Sequence, residues 1–307
     1  MAFRYDEIGL RLKAYRMGSG LSADEIAKKI GISRTALYRF ERGELAKIDT
    51  LERLAELLGV SIPTLLGVGI EYIPSAVSYF ERIRQIEETA EHIVMLSGPI
   101  SFLLASDDFQ STLQEVLTEN ITKAVANPTR ALSDIPKVME ILRERKELYR
   151  RRRPTVVNLM SAFEIERFLD HGFVGRPGLP DAVLAKRKAL AHAEISHFAK
   201  LVEEQPIGVQ IGIVPDTLPH LGFQLFRQPD RKLLVMSPFR LGGEPNVRVG
   251  VAMITSAPDG VALHEEAINE MWNRALKGQA AADCLRQLLA AEGRSSDQAG
   301  KLATRRK

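Results

Sequence analysis

The chain has 307 residues, 45% hydrophobic and 26% charged, with a formal net charge of +3. That balance excludes a disordered polymer, and the length suits two domains. A single cysteine, Cys284, excludes an internal disulfide framework. No apolar run reaches the ~18 residues of a membrane helix and no secretory leader is evident, so a cytoplasmic protein away from membranes is the expectation.

The first strong local pattern is SADEIAKKIGISRTALYRFERG at 22–43. Ser22 followed three residues later by Glu25 is a capping box, which starts a helix near Ala23. Ile26, Ala27 and Ile30 fall on one face of it, and Gly31 ends it because glycine accepts positive φ. Ser33 then caps a second helix with Ala36, Leu37 and Phe40 on one side, leaving Arg34, Thr35, Tyr38 and Arg39 on the others until Gly43 stops it. Two helices joined by so short a turn cross steeply, so the second projects and fits a DNA major groove. Its first turn also offers free amides and a positive dipole end to phosphate.

These residues resemble the helix-turn-helix of the Cro and phage-repressor family, from about Ile8 to Leu66. RLKAYR at 11–16 is similar to the family's first helix, SADEIAKKIG to its second, SRTALYRFERG to its recognition helix, and IDTLERLAELLGVSIPTLL to its closing helices. The resemblance implies a structural ion pair between Arg16 and Glu41. It also implies base-facing Arg34, Thr35, Tyr38 and Arg39, and phosphate-facing Ser22, Arg42 and Lys47. Arg34 and Arg39 are the strongest base readers, because arginine donates twice to guanine O6 and N7, with phosphate contact the alternative for each. Ala23 departs from the family, many of whose members carry a glutamine there that anchors phosphate or a neighbouring side chain.

Residues 1–68 hold 11 Lys or Arg against 9 Asp or Glu, a net charge of only +2. Counterion release then contributes little, so a homodimer is expected, with recognition helices roughly 34 Å apart and an inverted repeat in the double-stranded DNA.

Residues 69–74 read as a linker between a DNA-binding domain at 1–68 and a second domain at 75–291. SAVSYFERIRQIEETAEHIVMLS reads as one long helix, FQSTLQEVLTENITKAV as another, and DIPKVMEILRERKELYRRRR as a third with Pro136 in its first turn. After Pro154, TVVNLM, GVQIGIVP, FQLFR, KLLVMSPF and VRVGVAMIT read as strands, flanked by helices at 181–204 and 261–290. The expected class is α+β: an all-α five-helix domain followed by a mixed α/β domain, with no internal repeat. This element order resembles an effector-sensing domain that follows the Cro-type unit in some bacterial regulators, over about Ser75 to Lys277. That domain includes a helical segment with a central Gly-Pro, here LSGPISFLLASDDF, and the likeness implies a small-molecule effector. Residues 292–307 lack apolar periodicity and read as a disordered tail, whose final RRK adds solvated charge or nonspecific DNA affinity.

Other clusters read more plainly. Arg150–Arg153 is a solvated cationic helix end or an anion site. His192 and His197 are five apart and diverge by about 140° on a helix, so with Glu194 they do not form a zinc site. No GxSxG turn or paired nucleophile and base is present, and Gly242–Gly243 reads as a turn rather than a phosphate cradle. Phe223, Phe226, Phe239 and Trp272 fill a core or line an effector pocket between sheet and helices. Cys284 reads as a buried helix residue. The expectation is a dimeric, sequence-specific transcriptional regulator with no metal, cofactor or enzymatic activity. The alternatives are a DNA-tethered enzyme and an antitoxin-like protein-binding adaptor.

Overall fold

The N-terminal helices form where capping and apolar spacing place them. In the computed structural model, which describes residues 4–44, 46–96, 98–121, 127–215 and 222–304, with side chains to 291, they are α1 (Tyr5–Ser19), α2 (Ala23–Ile30), α3 (Arg34–Glu41), α4 (Ile48–Leu58) and α5 (Ile62–Leu66). Ser22 makes both bonds of the capping box with Glu25, and Gly31 takes φ 75° at the end of α2. Ser33 accepts from the Ala36 amide at 3.0 Å to start α3. Leu12, Ile26, Leu37, Leu54 and Leu65 meet in the centre of the bundle. Gly9 lets α1 approach α3, since a Cβ there would lie 2.6 Å from the carbonyl oxygens of Phe40 and Glu41.

The chain continues through β1 (Ile70–Ile73), α6 (Ala76–Glu87), β2 (His92–Leu96), α7 (Asp107–Glu119), α8 (Pro128–Arg152), β3 (Thr155–Ser161), α9 (Ala162–His171), α10 (Asp181–Glu204) and β4 (Val209–Val214). It ends with β5 (Phe223–Arg227), β6 (Lys232–Met236), β7 (Ala252–Thr255), α11 (Pro258–Arg274) and α12 (Gly278–Thr304). The strands form one seven-stranded sheet in the order β1-β7-β6-β5-β2-β3-β4. β2, β3 and β4 run parallel through helical crossovers, whereas β5, β6, β7 and β1 pair antiparallel. The overall class is α+β.

Alternation along the strands sorts side chains between two layers. Leu96, Leu159, Val214, Phe223, Leu225 and Leu234 face α11. Ile93, Val156, Met160, Ile211, Phe226 and Val235 face the opposite side and share one continuous core with α6, α8, α10 and the N-terminal bundle. Among the described residues, no helix is long and apolar enough to cross a membrane.

Several elements differ from the sequence expectation. The stretch read as one helix from Ser75 breaks after Glu87, because His92–Leu96 pairs with β3 on one side and β5 on the other. The expected linker at 69–74 holds β1, whose alternating Ile70, Glu71, Tyr72 and Ile73 pair with β7. The Gly-Pro segment is loop rather than helix from Gly98 to Ser106, where the buried Glu194 carboxylate accepts from the Ser106 amide at 2.8 Å. Pro136 sits inside α8, which begins eight residues earlier under an Asn127 cap. The residue one turn before it, Leu132, is exposed, so the carbonyl Pro136 leaves without a donor lies beside solvent. The helix expected at 261–290 is two: Leu276 exchanges both backbone bonds with Ile213 and separates α11 from α12. β7 is shorter than VRVGVAMIT, and α12 extends to Thr304 through the stretch expected to be a disordered tail. The final RRK and residues 122–126 lie outside the described residues.

The bundle and the sheet meet through buried charge. Glu71 on β1 accepts from Arg82 on α6 at 2.8 and 3.1 Å and from Arg11 on α1 at 3.1 Å, and all three are at least nine-tenths buried. Arg11 also reaches Glu7 at 3.1 Å, which pairs with Arg231 beyond β5. Gln85 on α6 donates to the Leu10 carbonyl at 3.1 Å, and Tyr15 donates to the Tyr72 carbonyl at 3.1 Å. The last contact ties α1 to the backbone of β1, the edge strand of the sheet.

Burial pushes the Glu71 carboxyl up, but Arg82 and Arg11 more than offset this and hold it below its ordinary value of 4.5; Glu7 and Glu81 are lowered in the same way. A carboxyl depressed on folding contributes stability that is present above its unfolded pKa and lost as the pH falls through its folded one. Urea denaturation should therefore show stability falling progressively below pH 4.5, with a shallower acid loss in Glu71→Gln. Trp272 fluorescence, from the single tryptophan in the second domain, should report the same transition as helical circular dichroism.

Candidate nucleic-acid interface

The outer face of α3 is built by a division of labour within eight residues. Leu37 and Glu41 are buried, Tyr38 is half-buried, and Arg34, Thr35 and Arg39 are exposed. Glu41 is held by Arg16 of α1 through two bonds, Nε to Oε1 and Nη2 to Oε2, the second at 3.1 Å. This pair sits behind the exposed face and fixes α3 against α1. Two guanidinium groups lie over the Tyr38 ring, Arg16 at 5.7 Å and Arg34 at 5.4 Å from its centroid.

The three residues expected to face phosphate are all exposed. Ser22 is exposed at the start of α2, Arg42 is exposed at the C-terminal end of α3, and Lys47 is the exposed residue preceding α4. Ala23, the position at which this chain departs from the resembled pattern, is buried.

Acidic groups hold most of these donors. Arg34 Nη1 lies 3.1 Å from Asp24 Oδ2, and its Nε donates to Tyr38 Oη at 3.3 Å. Arg39 Nε and Nη2 both reach Glu44 Oε2, at 2.6 and 2.5 Å. Ser22 is engaged twice by Glu25, its amide donating at 2.7 Å and its hydroxyl at 2.8 Å. Arg42 Nε donates to the Tyr38 carbonyl at 3.2 Å. Hydrogen bonding from Arg39 holds the Glu44 carboxyl below its ordinary value, and the Ser22 bonds do the same for Glu25. Sequence reasoning missed Asp24 and Glu44 as partners. The charge count of 1–68 contained the signal, but only tertiary geometry says which acid meets which arginine.

The remaining candidates disperse. His192 is exposed, His197 meets the Leu104 carbonyl at 3.0 Å, and buried Glu194 accepts from the amide and hydroxyl of Ser106, the residue that caps α7. Among the described residues, no group of three such side chains is placed to hold a metal ion. Arg150 pairs with Asp107 and Arg152 donates to the Glu88 carbonyl, so part of the basic cluster serves packing. Phe223, Phe226 and Phe239 are buried, and Trp272 is half-buried with Lys277 over its ring. Cys284 is half-buried, and burial pushes its thiol up. An open depression of about 960 Å³ lies along α7, bordered by Gln114, Glu115, Glu119 and Arg176, and a much smaller cavity lies between the sheet and its helices, lined by Glu87, Ile93, Leu148 and Tyr149.

Five helices with a projecting arginine-bearing third helix locked by an Arg–Glu pair define the N-terminal unit as a helix-turn-helix domain of the Cro and phage-repressor type. Residues 12–65 match the helix-turn-helix family. The chain is 39% identical over 62 residues to the HTH-type transcriptional regulator SinR of Bacillus licheniformis, and 39% identical over 61 residues to SinR of Bacillus subtilis (strain 168). These matches cover 20% and 19% of this chain, which spans 56% and 55% of the length of those relatives. Two solved structures overlap more of the chain. An archaeal chromatin protein, TrmBL2, covers 74% of it and 60% of its own chain at 12% identity and TM-score 0.30. Phosphatidylserine synthase of Haemophilus influenzae Rd KW20 covers 92% and 60% at 11% identity and TM-score 0.36. At those scores neither likeness bears on the second domain.

Removing one partner of the Arg16–Glu41 pair strands a buried charge, so Glu41→Ala or Arg16→Ala should cost about 3 kcal/mol in urea unfolding of the full-length protein. The combined Arg16→Met/Glu41→Leu variant should lose less than the sum of the two single changes, because both charges leave together.

Proposed function

We propose that the protein is a sequence-specific DNA-binding transcriptional regulator that acts as a homodimer on an inverted-repeat operator. The observation that carries this is α3 itself: Arg34, Thr35 and Arg39 point to solvent from a helix whose inner face is locked by Arg16 and Glu41. Arg34 and Arg39 read guanine edges, Thr35 meets a thymine methyl group, and Tyr38 joins the base-facing set while backing Arg34. Ser22, Arg42 and Lys47 contact phosphate and set the register.

The second domain pairs two copies and answers to a small-molecule effector. The buried junction supports the effector part of this assignment, because Glu71 on β1 ties α6 to α1, and α1 in turn holds α3 through Arg16 and Glu41. Such coupling is how a ligand remote from DNA shifts affinity for it. An adaptor role fits less well, since exposed arginines of this kind are not what the core of a protein interface retains.

Selection of binding sites from random DNA by the full-length protein should recover a consensus with dyad symmetry. Arg39→Ala should relax preference at one base position by about 1–3 kcal/mol, whereas Lys47→Ala should weaken binding evenly across sequences. A footprint without a dyad would remove the dimer, and an unchanged base preference would reduce Arg39 to a phosphate contact.

A further inference from the structure

Arg34 and Arg39, the two side chains on which base reading rests, are each held by a carboxylate of the same domain. Neither contact is needed for the fold: Asp24 and Glu44 are exposed, as are both arginines, and α2 and α3 are capped by Ser22 and Ser33. We propose that Asp24 and Glu44 guard the DNA-facing arginines, occupying their donors in the free protein and thereby suppressing binding to DNA of arbitrary sequence. This rests on the assignment of α3 as the helix that reads DNA.

The physical case is one of exchange. A carboxylate and a phosphate offer an arginine much the same charge-assisted hydrogen bonds, so replacing one by the other gains little. The displaced carboxylate then stays close to the phosphate backbone and repels it. On arbitrary DNA, where phosphate contacts supply essentially all the affinity, the arginines therefore remain with Asp24 and Glu44 and the duplex is held by fewer cations. At an operator, guanine O6 and N7 accept two separate hydrogen bonds from one guanidinium, whereas Asp24 and Glu44 each engage their arginine through a single oxygen, and the exchange becomes favourable. The guards lower affinity everywhere but lower it most where no matching base is offered. The Tyr38 ring holds Arg34 over the face during this exchange, its centroid 5.4 Å from the guanidinium and its hydroxyl 3.3 Å from Nε.

The test compares the full-length wild type with Asp24→Asn/Glu44→Gln and with a charge-matched control, Glu140→Gln/Glu147→Gln, altered on the exposed face of α8. Fluorescence anisotropy with a random-sequence duplex across a salt series reads affinity and salt slope. The guard variant should bind random duplex about tenfold more tightly, with a salt slope steeper by about 0.9 for each phosphate contact an arginine recovers, while the control stays near wild type. Its preference for the selected consensus over random duplex should fall. Equal affinity and slope in wild type and guard variant would overturn the guard and leave the DNA-reading assignment standing. So would an equal gain in the control, which would make the effect one of overall charge. Absence of duplex binding by every form, with circular dichroism showing them folded, would overturn both.

Discussion

The Glu71 carboxylate is the point on which the arrangement of the two halves depends. It lies on the first strand after the helical bundle and is almost fully enclosed, and it is shared by Arg11 of the bundle and Arg82 of the sheet-covering helix. A charge so buried is tolerated only when its partners remain in place, because the desolvation cost is large and any gap in the cluster leaves it uncompensated. The bundle therefore cannot swing freely on a linker. Glu7, Tyr15 and Gln85 extend the same contact, so α1 serves at once as a helix of the N-terminal unit and as its attachment to β1 and α6.

That double use of α1 ties the junction to the recognition helix. Arg11 faces the sheet, whereas Arg16, five residues on, holds Glu41 at the end of α3. The close approach at Gly9 leaves little room for α3 to shift without α1. β1 and α6 are thus joined to α3 through an unbroken run of packed, charged contacts on α1. Around the exposed arginines lie a buried Ala23 and the carboxylates of Asp24 and Glu44.

Much of the N-terminal unit was legible because its signals are local. Ser22 with Glu25, Gly31, Ser33 and the apolar spacing of Ile26, Ile30 and Leu37 determine helix starts, stops and inner faces within a few residues. The strands β3 to β6 were legible for a similar reason, as runs of β-branched and apolar residues between turns. β1 and β2 were not. Ile70–Ile73 is short and its neighbour β7 is about 180 positions away in the chain, as its register with Ala252–Thr255 shows. His92–Leu96 continues a helical apolar spacing and becomes a strand only because β3 and β5 flank it. The division of 261–290 has the same origin, a backbone exchange between Leu276 and Ile213.

By itself, the sequence determined the capped helices of the bundle, the polar face of α3, the shortage of positive charge and the α+β class, because each follows from neighbours along the chain or from composition. Tertiary structure alone decided which acid holds which arginine, that the expected linker is a strand, and that the bundle is bolted to the sheet through Glu71. Those are contacts between residues far apart in the chain, and no periodicity or cap encodes them: the electrostatics of a buried carboxylate depend on which cations the finished fold brings to it.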